Sequence, residues 1–444
     1  MRRHKRKIIF LAIALTTGLL VWAIPNLLLT TIAYAITIIY IAWGVYNVII
    51  FFSGLHPPLN PGITLKEYPK ISVIIPAKNE PILGRTIEVC LHHIDYPLNK
   101  KEIIVVTDDP VGERIAFWYQ QRYPRNVKLL ARRKLFPTKP SALNDALQLA
   151  TGEIIAIVDV EDIPDRDVFL KAAAALTKHG YHAAQVILRI SNQDDSWITR
   201  IFAMEYAGWF RIMLNGRARI GSYTPLGGTG NYFLRNVIAL VGGWDAINLA
   251  EDAEIGVRLA IAGRRVAVID ARHWEEAPTS FNAWLRQRTR WFRGWLQSLW
   301  KYLEVIVNPA GLKLLGLTGL INVAFMLVNP IILILNWVAY GLTVLWILDF
   351  LGIMPGVMAN IFPIWSIIPL TLNPLYYYIA FKGAELEGIK GNLRYLPHML
   401  VYLNLMLPLA AARAFYHEVF KPVFWEKTEH PGLGVRWAVA ERIR

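Results

Sequence analysis

Covalent cross-links are the first thing this chain lacks. Cys90 is the one cysteine among 444 residues, which excludes an internal disulfide and any cysteine-based zinc site. Redox compartment is therefore not readable from it. Charge is sparse as well, at 18% of residues, and acids are the scarcer kind: 33 Asp and Glu stand against 47 Lys and Arg, a net charge of +14. That imbalance points to anionic partners: phosphates, lipid head groups or nucleic acid. No internal repeat and no low-complexity tract is present. What the chain has in quantity is apolar: 55% of it is hydrophobic and its mean hydropathy is +0.34, above the balance of a soluble protein.

The apolar residues fall in blocks. Residues 8–24 and 27–52 are two nearly uncharged runs, each long enough for a bilayer core of about 30 Å. A cleaved signal peptide over residues 1–24 is disfavoured, because a second run follows at once without a small-residue cleavage site. A membrane hairpin (1–52) entered from the cytoplasmic side fits the basic start MRRHKRK. Residues 53–70 carry Pro57, Pro58, Pro61 and Pro69 and read as a linker. After Lys313, runs at 314–351, 361–381 and 396–412 carry three or four more spans, with Asn329-Pro330 as a kink or a hairpin turn. The bases of the tail (416–444), Lys421, Lys427, Arg436, Arg442 and Arg444, favour a cytoplasmic tail and hence six spans.

The middle, residues 71–280, is of another kind. Ile- and Val-rich runs at 71–76, 102–109, 127–130, 153–159, 183–188 and 265–270 alternate with helical patterns such as SALNDALQLA and DVFLKAAAALTKHG. Runs with little polar alternation suit strands buried on both faces, and the strand–helix order predicts a mostly parallel α/β sheet.

Ligands of such sheets bind beyond the strands' carboxyl ends. There the sequence places Asp108-Asp109 and, later, Asp159-Val160-Glu161-Asp162. Each group could be only a helix cap or turn. Carboxylates clustered without His or Cys otherwise prefer hard cations such as Mg2+ or Mn2+, which bridge to phosphate. A dinucleotide site is disfavoured, since the first turn reads PAKNEPILGR and has no Gly-x-Gly-x-x-Gly. Further on, PLGGTGNYFLRN offers glycines for a tight turn or a close ligand, and Glu251 and Asp252 open a helix running to about Gly263. One acid there would suffice for the helix dipole.

The segment RQRTRWFRGW (286–295) mixes guanidinium and indole. From Phe281 to Leu303 large apolar residues recur at helical spacing, and Gln287, Arg290, Trp291 and Gly294 share one face. Arg286, Arg290 and Arg293 form an adjoining cationic stripe. An interfacial helix over 281–312, lying on anionic lipid, would explain the charge and the tryptophans. It would not explain Gln287, nor Gly294, which weakens a helix by roughly 1 kcal/mol relative to Ala. Amide, guanidinium and indole on one face suit a sugar–phosphate better.

Taken in order, VIIPAKNE, VVTDD, KPSALN, IVDVED, GGTGN, AED and QRTRW resemble the motifs of the membrane-embedded family 2 glycosyltransferases, the group of cellulose, chitin and hyaluronan synthases and ceramide glucosyltransferase. The likeness covers residues 71–300, and WEKTEHPG (425–432) is similar to the tail of bacterial and archaeal members.

The resemblance implies a GT-A-type nucleotide-sugar-binding domain (71–280) inserted between transmembrane α-helices (1–52 and 313–415), in a multi-pass cell-membrane protein with a cytoplasmic catalytic domain. It implies a nucleotide-sugar donor, a UDP-sugar foremost, a polysaccharide or lipid acceptor, membrane lipids, and no nucleic acid. Asp108 matches the acid that holds the base, and Lys139 and Asn144 the element lining the nucleotide. Asp159 and Glu161 match the Asp-x-Asp that grips Mg2+ or Mn2+ and the diphosphate; Glu161 stands where that motif has its second Asp, and Asp162 competes for the role. Asp252 matches the catalytic base, with Glu251 beside it at the substrate. Gln287, Arg290 and Trp291 match Gln-x-x-Arg-Trp, with Arg290 on the leaving diphosphate and Trp291 at the acceptor sugar. A carboxylate is also, on chemical grounds, a suitable base for an attacking hydroxyl. The Phe-x-Val-Thr-x-Lys gating loop of cellulose synthases is absent. The expected activity is inverting, β-forming and processive transfer to a growing polysaccharide. Single transfer to a lipid and a degenerate, non-enzymatic scaffold are the alternatives.

Overall fold

The computed structural model describes Thr16 and residues 25–133, 138–221, 223–354, 364–390 and 392–421. Apart from Thr16, the first expected span at 8–24 lies outside the described residues, as does the WEKTEHPG tail.

The Ile/Val runs become strands where expected: β1 (Ile71–Ala77), β2 (Lys101–Thr107), β3 (Val127–Ala131), β4 (Ile154–Ile157), β6 (Ala183–Ile190) and β8 (Val266–Glu275). Two more, β5 (Ile163–Pro164) and β7 (Asn231–Leu234), complete an eight-stranded sheet of order β3-β2-β1-β4-β7-β6-β8-β5. β7 is antiparallel to both β4 and β6, and β5 to β8, so the sheet is mixed where the pattern predicted mostly parallel pairing. β1 pairs in parallel with β2 and β4 on its two sides, Ile71 opposite Lys101 and Ile154. Alternate residues serve opposite cores. Val73, Ile75, Ile103 and Val105 face one apolar cluster; Ile74, Ile104, Val106 and Ile155 face the other. Burial on both faces is why these runs show no polar alternation.

Among the described residues three helices are long and apolar enough to cross a membrane: Tyr34–Gly54, Pro309–Phe350 and Leu393–Phe420. The first lies within the helix Pro25–Gly54 and the last includes Leu407–Phe420. A further helix, Ile364–Leu386, lies between the second and third. Of the two readings of Asn329-Pro330, a kink or a hairpin turn, the hairpin turn does not form. Helix continues through Pro330, and the break comes instead at Gly316, with φ 66°. Where neighbouring helices support the chain, a proline need not end it. The region 314–351 therefore supplies one candidate span, not two.

Glycines and one acid dock the sheet domain on these helices. A Cβ on Gly383 would lie 2.4 Å from the Gly208 nitrogen, an approach only glycine allows. Glu387, just beyond the helix Ile364–Leu386, accepts from Arg189 at 2.7 Å and from Arg272 at 3.2 Å.

Candidate functional site

The carboxyl ends of β1, β2 and β4 open onto a cavity of about 430 Å3. Its wall includes Asp108, Lys139, Asp159, Glu161, Glu251, Asp252, Gln287, Arg290 and Trp291. Of the residues that the family resemblance places on substrate or metal, Asn144 alone is left out of the wall. Its amide is used on the backbone of Trp244, donating to the carbonyl at 2.7 Å and accepting the N–H at 2.8 Å. Asn144 thus ties the helix Lys139–Leu149 to the turn before Asp245.

The acids after β2 divide their work. Asp109 caps the helix Pro110–Arg122, accepting from Gly112 N–H at 2.9 Å. Asp108 faces the cavity. One of its oxygens takes the Arg132 guanidinium at 2.6 Å, and the other, Oδ1, is buried without a hydrogen-bond partner among the described residues. A buried acceptor left open in a cavity wall is what a donor N–H of a ligand would satisfy.

The acids after β4 divide likewise. Asp162 is fully buried. Its Oδ2 accepts from the Thr229 hydroxyl and from Asp159 N–H at 3.3 Å, and lies 3.3 Å from His273 Nδ1. It fastens the turn from behind, which leaves Asp159 and Glu161 as the carboxylates on the cavity side. Lys139 Nζ reaches Asp159 Oδ2 at 2.5 Å and the Gly228 carbonyl at 2.9 Å. Burial works against the Lys139 charge, but Asp159 and Glu251 outweigh it and hold the ammonium above the ordinary lysine range. Gly228 is the floor between them: a Cβ there would sit 3.5 Å from Asp252 Oδ2 and 3.6 Å from Lys139 Nζ.

Among the described residues, no group of three or more His, Cys, Asp and Glu is arranged to hold a metal ion. The donor set still fits a hard cation of the kind that binds through one or two carboxylates plus substrate phosphate. Asp159 and Glu161 are two such oxygen donors on one wall.

Glu251 and Asp252 open the helix Glu251–Ile261. Burial and then the neighbouring Glu251 push the Asp252 carboxyl up to about 7, although Ala253 N–H donates to it at 2.7 Å. Burial raises Glu251 too, against the pull of Lys139.

Opposite stands the helix Phe281–Val307, capped by Ser280, whose hydroxyl accepts from Ala283 N–H at 3.3 Å. Among the described residues, Gln287 Oε1 and Arg290 Nε are both buried without a hydrogen-bond partner. The Trp291 ring stacks on Tyr206, 6.2 Å between centroids at 26°. The expected cationic stripe is not one. Arg293 is buried with its Nε 3.9 Å from Glu418, so it serves the packing of Leu407–Phe420 rather than a lipid surface. Trp284, Phe292, Leu296 and Leu299 are buried as well, so one face of this helix belongs to the core.

Sequence reasoning passes over Glu205, Tyr206, Glu275, Glu276 and Arg288, all in the cavity wall. Glu275 ends β8, so the rule of strand ends finds it only if the strand is read past Asp270. Burial, then Asp162 and Glu161, hold Glu275 well above the ordinary carboxylate range. Glu205 and Tyr206 end a helix, Trp197–Tyr206, with no local signal.

The cavity does not stop at the acids. It runs on between the apolar helices past Trp43, Leu333, Asn336, Ile379, Leu403 and Leu407.

Residues 69–294 match the family model described as glycosyltransferase like family 2. A probable glycosyltransferase of Bacillus subtilis, YdaM, is 26% identical over 386 residues, 82% of this chain and 88% of that one. The beta-monoglucosyldiacylglycerol synthase of a Synechocystis species is 26% identical over 265 residues, 58% of this chain and 54% of that one. The chain thus spans nearly all of the first relative and about half of the second. Among solved structures, the mannosyltransferase PcManGT of Pyrobaculum calidifontis, in complex with GDP-Man and Mn2+, superposes with a TM-score of 0.57 at 18% identity, covering 88% of this chain and 99% of that one. That likeness shows the fold, a GT-A-type sheet domain flanked by apolar helices. The family match takes in just over half of the chain and carries the acids, the glycine tract and Gln287–Trp291, and the chain belongs to glycosyltransferase family 2, an enzyme that moves a sugar from a nucleotide-sugar donor.

Proposed function

We propose that the protein transfers one sugar, with inversion, from a nucleotide sugar to the hydroxyl of a membrane lipid on the cytoplasmic side. The observation that carries this reading is the continuity of the cavity: its charged end holds Asp252 and Arg290, and its other end is lined by Leu333, Ile379, Ala380, Leu403 and Leu407. An apolar wall suits a hydrocarbon tail. It suits a sugar chain poorly, because each buried hydroxyl would need a partner. Asn336, one of the few polar groups there, already accepts from the Tyr40 hydroxyl at 2.6 Å. Transfer to a growing polysaccharide is the second reading, favoured by the rings of Trp209, Trp295 and Tyr376 in the same wall.

In this reading Asp108 receives the nucleotide base on its open oxygen, and Lys139 and Arg290 face the diphosphate. Asp159 and Glu161 would hold Mg2+ or Mn2+, which supplies further positive charge at the diphosphate. Trp291 supports the acceptor's polar end. Asp252 takes the proton from the acceptor hydroxyl as that oxygen bonds to the anomeric carbon and the nucleoside diphosphate departs. Arg290 stabilises the charge left behind. A single displacement turns an α-linked donor into a β-linked product. A relative's name, beta-monoglucosyldiacylglycerol synthase, is in keeping with a lipid acceptor.

The test is to reconstitute the full chain in liposomes and offer labelled UDP-glucose, UDP-N-acetylglucosamine and GDP-mannose in turn, with and without a chelator. Metal-dependent label in the organic phase is expected. Label in a water-soluble polymer would favour the second reading, and no incorporation from any donor would refute both.

A further inference from the structure

Arg288 has no task in the transfer just described, yet it is tightly held. Its guanidinium forks onto Glu205, one nitrogen donating to Oε1 at 3.0 Å and the other to Oε2. The rings of Phe202 and Trp291 lie 4.5 Å and 4.6 Å from its guanidinium carbon, so the fork is held between two aromatic faces. Glu205 Oε2 also accepts from the Tyr402 hydroxyl at 2.6 Å, and that hydroxyl accepts from Trp284 Nε1 at 3.0 Å.

Tyr402 opens a π-helical turn, Tyr402–Met406, inside the last membrane helix. Such turns often mark functional sites. The same stretch of chain gives Met399, Leu403 and Leu407 to the cavity wall. The helix that would flank the acceptor's tail is thus hydrogen-bonded through Glu205 to Arg288, whose guanidinium lies over the indole on which the acceptor's polar end would rest.

We propose that Arg288, fixed by Glu205 and Tyr402, is a positioning residue for the acceptor: it sets the Trp291 platform and ties it to the membrane helix beside the acceptor tail. The inference rests on the lipid-acceptor reading. The planar fork matters as much as the charge, because a lysine can neither bind Glu205 through two parallel bonds nor lie flat against the indole. The groups at the donor end bond elsewhere, Asp108 to Arg132 and Lys139 to Asp159 and Gly228. Disturbing the Arg288 fork should therefore be felt by one substrate and not the other.

The experiment varies lipid acceptor and nucleotide sugar separately, using the full chain in liposomes as wild type, Tyr402→Phe, Glu205→Gln and Arg288→Lys. Removing a hydrogen bond to a charged group should raise the acceptor KM about tenfold in each variant and leave the donor KM within about twofold. Tyr402→Phe deletes a single hydroxyl, so it keeps the test readable if either of the other two fails to fold. Parallel rises in both KM values, or an unchanged acceptor KM in Tyr402→Phe, would overturn the positioning role while leaving the lipid reading intact. No glycolipid from the wild type itself would overturn the lipid reading, and this role with it.

Discussion

Asp252 is held where its negative charge is unwelcome, and two consequences follow. As a base it must be ionised, so turnover should rise with pH through about 7, the value to which burial and Glu251 push it. Its effect on stability has the opposite sense. The carboxyl is raised from an unfolded value of about 3.9, so between about pH 4 and 7 the native state keeps a proton that the unfolded chain has released. Stability due to this group falls as pH rises through that window and is level above it. Asp252→Asn should therefore lose turnover by roughly 10² to 10⁴ yet melt higher than wild type at pH 8, the two converging towards pH 4. A variant that turned over normally, or melted lower at pH 8, would contradict the assignment. Arg290 allows a second comparison. Arg290→Lys keeps the charge but loses the planar fork, and should cost about 10² to 10³ in kcat. Arg286→Lys, at a residue outside the cavity wall, should be nearly silent. Equal losses in the two would mean that the helix acts only through its net charge.

At the scale of elements, Gly294 has a use that the sequence leaves open. In the sequence it is a residue that weakens its helix and that a lipid anchor would not explain. In the structure a Cβ there would meet the Ala250 nitrogen at 2.3 Å and the Ala250 Cβ at 2.4 Å. The glycine lets Phe281–Val307 lie against the turn that leads into Asp252, and so brings the Asp252 carboxyl and the Arg290 guanidinium to one cavity. Gly294→Ala should destabilise by about 1–3 kcal/mol, the usual scale of overpacking, and should lower kcat as well. Denaturant melts and turnover measured on one preparation would decide it, and a fully active, equally stable variant would remove the reason given. The six strands read from the sequence are legible because burial on both faces favours Ile and Val. β7 is not, because Asn231–Leu234 follows a glycine tract that reads as a turn. Pro330 misleads in the same way: local chemistry says break, and the packed neighbours of Pro309–Phe350 overrule it.

For the whole molecule, the acids and the Gln287–Trp291 helix can be found from order and spacing, since each lies at a strand end or on one helical face. The site's other half cannot. Tyr402 reaches Glu205 across 197 residues of sequence, and Tyr40 reaches Asn336 across 296. No local pattern encodes such pairs, and only the packing of the apolar helices against the sheet domain brings Glu205 and Asn336 to one cavity. That is also why composition favours a polymer and the geometry favours a lipid: the tryptophans are visible in the sequence, and the apolar wall beyond them is not. The most direct measurement is the mass of the product made in liposomes when nucleotide sugar exceeds acceptor lipid. One hexose, or one N-acetylhexosamine, on each lipid is the expected result. A ladder of added sugars on the acceptor, or a lipid-free polymer, would contradict it.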